Sequence, residues 1–309
     1  MERKKIKVGL PKALLYHKYG LFWETFFKEL NCEVIISPET NQDILSKGVN
    51  LAVDESCLSL KIFLGHIDWL KDKVDYILVP HIISPHRKEQ TCVKIMALYD
   101  IVKNTFDDIN LLEYTLDADT FKFNFFAYMK LGFRVTKNPF LILRAYLRAK
   151  KTQNHHQEKL IKKQSEKIIN NNNNDPTILI VSHPYTTYDG LLGKPISKFL
   201  EAEGVNLLYS DLVLYGDTKN LYKNISADLY WSYNKELLGA IEYYKDSIDG
   251  IIFLMTFPCG PDSLVINLCQ SKLKIPMTLI ILDELQGEAG LKTRIESFVD
   301  ILKIKKKHV

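Results

Sequence analysis

Three of the five cysteines stand among polar or turn-forming neighbours: Asp54-Glu-Ser-Cys57, Glu89-Gln-Thr-Cys92 and Phe257-Pro-Cys259-Gly-Pro. Each is expected where a β-strand turns into a helix, Cys57 after Asn50-Leu-Ala-Val-Asp54, Cys92 after residues 75–82 and Cys259 after residues 250–257. In an α/β sheet, ligands gather outside the carboxyl ends of the strands, and helix N-termini there offer N–H groups and positive dipole ends that favour thiolates and anionic clusters. Three thiolates in such loops would hold a soft metal or an iron–sulfur cluster and leave a fourth position for another ligand. A zinc site completed by water or histidine uses the same arrangement. The separations, 34 residues between the first two cysteines and 166 between the last two, match no compact C-x-x-C pattern. Metal ligation, redox chemistry and plain burial therefore all stay open on the residues alone.

The other two cysteines read as small buried hydrophobes. Cys32 leads into Glu33-Val-Ile-Ile36, and Cys269 shares a helix face with Leu264, Val265 and Leu268. Further loop residues could do chemistry. Lys12, after the first strand, could meet a phosphate or carboxylate, or cap a turn. His81 and His86 flank the loop before Cys92, with hydrogen-bonded structural roles as the default. Asp283, Glu284 and Glu288 form an acidic patch after the last strand, where Gly287 and Gly290 would supply turns. No G-x-x-x-x-G-K-S/T loop is present, which argues against ATP hydrolysis by this chain.

Strand-like runs alternating with amphipathic stretches position these residues, a pattern that predicts parallel sheets with helical crossovers. Strands are expected near 6–10, 33–37, 51–54, 76–81 and 109–114, then near 177–182, 206–209, 250–257 and 277–282. Helices are expected to begin near Leu14, Asn41, Leu58 and Lys94, to fill residues 121–169 with a break at Asn138-Pro139, and to close the chain from about Glu288 to Lys303. The run Asn170–Asn174, followed by Asp175-Pro176, reads as a linker. The expected organisation is two Rossmann-like α/β domains, 1–169 with a long C-terminal helical segment and 177–309, joined by 170–176 and separated by a cleft in which the three cysteines meet.

The chain has 309 residues, 46% hydrophobic and 25% charged, ordinary for a globular protein and long enough for two cores. No apolar stretch approaches the ~20 residues that cross a bilayer, and the start lacks a signal-peptide core, so the expected location is cytoplasmic with no membrane insertion. Five cysteines then argue against a disulfide framework. The net charge of +4 hides an asymmetry: residues 130–167 hold 11 Lys+Arg against 2 acidic residues, leaving 30 basic and 35 acidic elsewhere, a net of −5. That excess reads as the solvated face of a long helix, or as a surface for an acidic partner or a nucleotide-like ligand. No nucleic-acid motif accompanies it.

Several blocks resemble the 2-hydroxyacyl-CoA dehydratase subunits and, more closely, the uncharacterised domain that accompanies CoA-enzyme activases. They are Val8-Gly-Leu-Pro-Lys-Ala-Leu-Leu15, Ser37-Pro-Glu-Thr-Asn41, Leu51-Ala-Val-Asp-Glu-Ser-Cys57, Val79-Pro80, His183-Pro-Tyr185, Leu229-Tyr-Trp-Ser-Tyr233, Phe257-Pro-Cys-Gly-Pro-Asp-Ser263 and Asp283-Glu-Leu-Gln-Gly-Glu-Ala-Gly-Leu291. The last two are the most specific. The resemblance implies a 4Fe–4S cluster, or half of a larger bridged one, on Cys57, Cys92 and Cys259. It also implies low-potential electron transfer, an activase-type ATPase in trans, an acyl-CoA ligand and a homodimer or heterodimer. If the chain is an enzyme, the implied reaction is that of a dehydratase-type lyase or a reductase on acyl-CoA. The alternatives are a non-catalytic assembly or regulatory subunit, or a zinc protein. This chain departs from the family in having Leu58-Ser59 and Val93 where prolines usually follow the first two cysteines.

Overall fold

The structure, a computed structural model, describes residues 5–120, 124–170, 175–285 and 288–307. Packing divides the chain into two compact units, Met1–His156 and Gln157–Val309. The division falls inside the helix Pro139–Ile169, whereas composition set a linker at 170–176, of which Asn171–Asn174 lie outside the described residues.

The first unit carries β1 (Lys7–Leu10), β2 (Glu33–Ile36), β3 (Tyr76–Ser84) and β4 (Leu111–Asp117), all parallel, in the order β2-β1-β3-β4. The second carries β5 (Thr177–Val181), β6 (Asn206–Tyr209), β7 (Gly250–Thr256) and β8 (Met277–Leu282), again all parallel, in the order β6-β5-β7-β8. The two units thus repeat one topology without a residue-level repeat. The central strands β5 and β7 are buried at every position, which is why Thr177-Ile-Leu-Ile-Val181 and Gly250-Ile-Ile-Phe-Leu-Met-Thr256 read as unbroken apolar runs instead of alternating ones. In each unit the chain leaves the first strand toward one edge and later the third strand toward the other. The switch points therefore lie between β1 and β3 and between β5 and β7.

One expected strand does not form. Leu51 ends the helix Gln42–Leu51, residues 52–54 enter a turn, and Cys57 does not follow a strand. Asn41 starts that helix by accepting the Ile44 N–H on Oδ1 at 3.0 Å, and the helix returns in a hairpin with the helix Leu58–Leu70. Two glycines let the pair touch. A Cβ on Gly48 would lie 1.8 Å from the Lys61 carbonyl oxygen, and one on Gly65 would lie 2.0 Å from that of Ile44. Both obstacles are backbone, so the helices would have to part. Gly48→Ala is expected to lower the unfolding free energy by ~1–3 kcal/mol. Gly216→Ala, an exposed helical position with nothing within 4 Å of its Cβ, should lose nothing; equal denaturant midpoints for the two variants would contradict this packing.

The hairpin is anchored to the sheet through His66, which is 0% exposed. Its Nδ1 lies 2.8 Å from Ser37 Oγ, just past β2, and its Nε2 lies 3.0 Å from Thr40 Oγ1. Burial chiefly, with the nearby His17 and Lys12 and against Glu39, pushes its pKa down to about 3. The unfolded histidine binds its proton near pH 6.5, so the neutral buried ring contributes stability that is complete above that pH and fades as pH falls toward 3. The expected loss is ~1.4 kcal/mol per pH unit across that window. Urea unfolding at stepped pH should show it, and His66→Gln should flatten the dependence relative to the natural chain.

The helices Asn124–Phe133 and Pro139–Ile169 confirm the expected break before Pro139. In the first unit Gln153 accepts the Phe22 N–H and donates to the Lys18 carbonyl. In the second the buried Gln164 bonds the Tyr209 N–H, the Tyr209 and Leu212 carbonyls and the Tyr244 hydroxyl. The last helix runs Glu288–Lys307, so Gly290 is helical and not a turn; Gly287 and the Glu288 side chain lie outside the described residues. No helix among the described residues is long and apolar enough to cross a membrane.

Candidate functional site

What Cys57, Cys92 and Cys259 share is the N-cap position of a helix: Leu58–Leu70, Val93–Met96 and Gly260–Lys272. Each has extended backbone, with φ/ψ of −64°/148°, −67°/152° and −121°/104°, and in none does the side chain cap its helix. Their carbonyls take the first helical N–H groups instead, Lys61 onto Cys57, Met96 onto Cys92 and Ser263 onto Cys259. All three are partly exposed. The other two differ sharply. Cys32 and Cys269 are buried, and burial pushes their thiols up to about 11 and about 12, values that leave them inert. Among the described residues the five cysteines form no disulfide.

Cys92 sits at the carboxyl end of β3, where Thr91 folds back to donate its N–H to the Ile83 carbonyl and its hydroxyl to that of Ile82. Cys57 lies nine residues before His66 on one helix, roughly 13 Å along its axis, so it projects beyond the level of Ser37 at the end of β2. Both first-unit cysteines are thus on the carboxyl side of their sheet. Cys259 occupies the corresponding side of the second unit, after β7 and a cis Phe257–Pro258 peptide.

Around Cys259 stands a polar network that the residues alone did not reveal. Asp262, three residues into the loop-to-helix turn and only 7% exposed, accepts from Asn234 Nδ2 at 2.8 Å and pairs with His183 Nε2 at 2.9 Å, both on Oδ1. The Cys259 thiol also donates to this carboxylate. Burial by itself would raise the Asp262 carboxyl. The His183 charge and the hydrogen bonds from His183, Asn234 and Cys259 outweigh it and hold the group below the ordinary carboxylate value. His183 stands two residues past β5 as the N-cap of the turn Pro184–Thr187, and Tyr185 stacks on its ring at 5.0 Å. His183 and Cys259 therefore flank the β5/β7 switch point. The sequence signals were present in His183-Pro-Tyr185 and Cys259-Gly-Pro-Asp262; Asn234 had none.

The other candidates have structural partners. Lys12 pairs with Glu39 at 2.7 Å while its N–H donates to Ser37 Oγ. His81 lies within β3, and its Nδ1 meets Glu113 at 3.2 Å on β4. His86 accepts the Ser84 hydroxyl on its carbonyl. Asp283 accepts the Glu284 N–H. Among the described residues no group of three or more His, Cys, Asp or Glu side chains stands ready to hold a metal ion.

The model of the CoA enzyme activase uncharacterised domain (DUF2229) matches residues 7–213 of the chain. The chain belongs to this family. The match spans Cys57, Cys92 and His183, whereas Cys259 and Asp262 lie beyond it. No curated protein matches the chain. Among solved structures the chain is similar to an Mn-bound periplasmic metal binding protein mutant from candidatus liberibacter asiaticus, at 13% identity over 96% of this chain and 99% of that one, with a TM-score of 0.26. It is also similar to a sugar transporter from Clostridium phytofermentans, at 13% identity over 97% of this chain and 93% of that one, with a TM-score of 0.22. Likenesses this distant carry no argument about site or activity.

Proposed function

We propose that the chain is an iron–sulfur protein of a CoA-enzyme activase system, in which Cys57, Cys92 and Cys259 hold a 4Fe–4S cluster or half of a larger bridged one. The observation that carries this reading is the division among the five cysteines: three partly exposed N-cap thiols on the carboxyl side of parallel sheets, and two buried inert ones. As a donor set the three fit the group, since thiolates are its ligands and the long helices after Cys57 and Cys259 turn their N–H ends and positive dipoles toward bound negative charge. The four-residue turn after Cys92 adds only its N–H groups. A cluster bound there would supply one-electron, low-potential redox chemistry. The electron would come from an ATPase in trans, because no phosphate-binding loop of the G-x-x-x-x-G-K-S/T kind is present here. Family membership supports an acyl-CoA thioester as the acceptor.

Within this reading Asp262, His183 and Asn234 fix the loop that carries Cys259. The test is anaerobic reconstitution of the full chain with ferrous iron and sulfide, followed by gel filtration and assay of both. Iron and sulfide in equal amounts, about four each per chain, support the reading. A folded protein that takes up neither, or that binds stoichiometric zinc without sulfide, overturns it.

A further inference from the structure

On the first unit the helix Pro139–Ile169 carries two opposed apolar stripes. Ile142, Ala145 and Ala149, spaced i, i+3, i+7, are fully buried, as a helix packed on a core requires. Phe140, Leu143 and Leu147 have the same spacing two residues out of phase and so point the opposite way, with Phe140 81% and Leu147 55% exposed. At ~100° per residue, Lys150 borders this outer stripe on one side and Lys151 and Arg144 on the other. The preceding helix repeats the arrangement. Phe126 and Phe133, seven residues apart and both exposed, face away from the buried Tyr128 and Leu131, with Lys130, Arg134 and Lys137 beside and after them.

Solvation of a connecting helix explains the cations but not the phenylalanines and leucines set between them. Five large apolar side chains exposed on two consecutive helices exceed the scattered singles that a soluble surface normally carries. Arg144 and Arg148 share Glu29, at 3.7 and 2.9 Å, whereas Lys130, Arg134, Lys137, Lys150 and Lys151 have no ion pair among the described residues. A second copy of the same face would set like charges together. The stripe stands on the outer side of a helix, with cations on both flanks long enough to reach outward while the rings go down, and this is the pattern of a helix lying in a lipid interface.

We propose that this face docks the protein on an anionic phospholipid surface, with Phe140 and Leu147 at the acyl boundary and the flanking lysines on headgroup phosphates. The protein would lie on the membrane and not span it. The test is co-sedimentation of the full chain with vesicles of phosphatidylcholine alone and with about 30% phosphatidylserine. Binding is expected only to the anionic vesicles, to weaken as salt is raised, and to fall about fivefold for each lysine removed in Lys150→Gln and Lys151→Gln. Phe140→Ser with Leu147→Ser should abolish it while thermal unfolding is unchanged, both side chains being exposed. No binding to the anionic vesicles, or binding indifferent to the Phe140 and Leu147 changes, overturns the proposal. Capture on immobilised poly-L-glutamate without vesicle binding also overturns it, and would assign the face to an acidic protein partner.

Discussion

Reconstituted Cys259→Ser is expected to lose its iron and the visible absorption that accompanies iron bound to thiolates, while Cys269→Ser keeps both. The two residues lie ten positions apart around one helix, so the pair separates ligation from damage to the fold. Cys269 is fully buried in the second unit's core beside Val265 and Ile266, where desolvation disfavours a thiolate. Cys259 is the N-cap, partly exposed, on backbone that already presents the following N–H groups. Loss of a ligand should exceed the ~10–100-fold in affinity that removal of an outer hydrogen-bond partner costs. Cys57→Ser should behave like Cys259→Ser, and Cys32→Ser like Cys269→Ser. Iron and sulfide counts with circular dichroism decide it: equal iron loss in Cys259→Ser and Cys269→Ser, both folded, would remove Cys259 from the ligand set.

Asp262→Ala is the second large effect, and it concerns the fold. The carboxylate is the hub for His183, Asn234 and the Cys259 thiol at a position almost without solvent. Its removal leaves a buried imidazole and a buried amide without their acceptor, and breaking such a buried pair costs ~3–5 kcal/mol. Asp262→Asn keeps an acceptor oxygen and should cost less. Because the folded carboxyl is held below its ordinary value, it contributes stability that is present above the usual carboxylate range and is lost as pH falls through the folded value. Asp262→Asn should lack that acid-side component. Urea midpoints at neutral pH that coincide for Asp262→Ala and the natural chain would show that the hub is not structural.

Recognition of the fold from the residues rested on periodicity. The buried central strands β5 and β7 leave unbroken apolar runs, and the four strands of the second unit begin and end within a residue of their expected positions. The failure at 51–54 has the same root. Four residues of mixed apolar character hold no period, and what decides between strand and helix end there is the approach of Gly48 and Gly65 to backbone on the partner helix, far along the chain. The expected end of β3 at His81 falls short because the strand continues three residues past it, in register with Leu116 and Asp117 of β4, and a strand's end is set by its neighbour's length.

The amino-acid sequence by itself determined two parallel α/β units, the burial of Cys32 and Cys269, the break before Pro139 and the membership carried by the blocks from Val8 to Tyr185. These follow from local pattern: apolar runs, helix phase, a missing N–H and short motifs. Only tertiary structure decided that Cys57 follows a helix and a turn instead of a strand, so that what the three remaining cysteines share is an N-cap. It alone made Asp262 a buried, charged hub. Its partners lie 79 and 28 residues away in sequence, and a carboxylate stays ionised out of water only when folding brings hydrogen-bond donors to it.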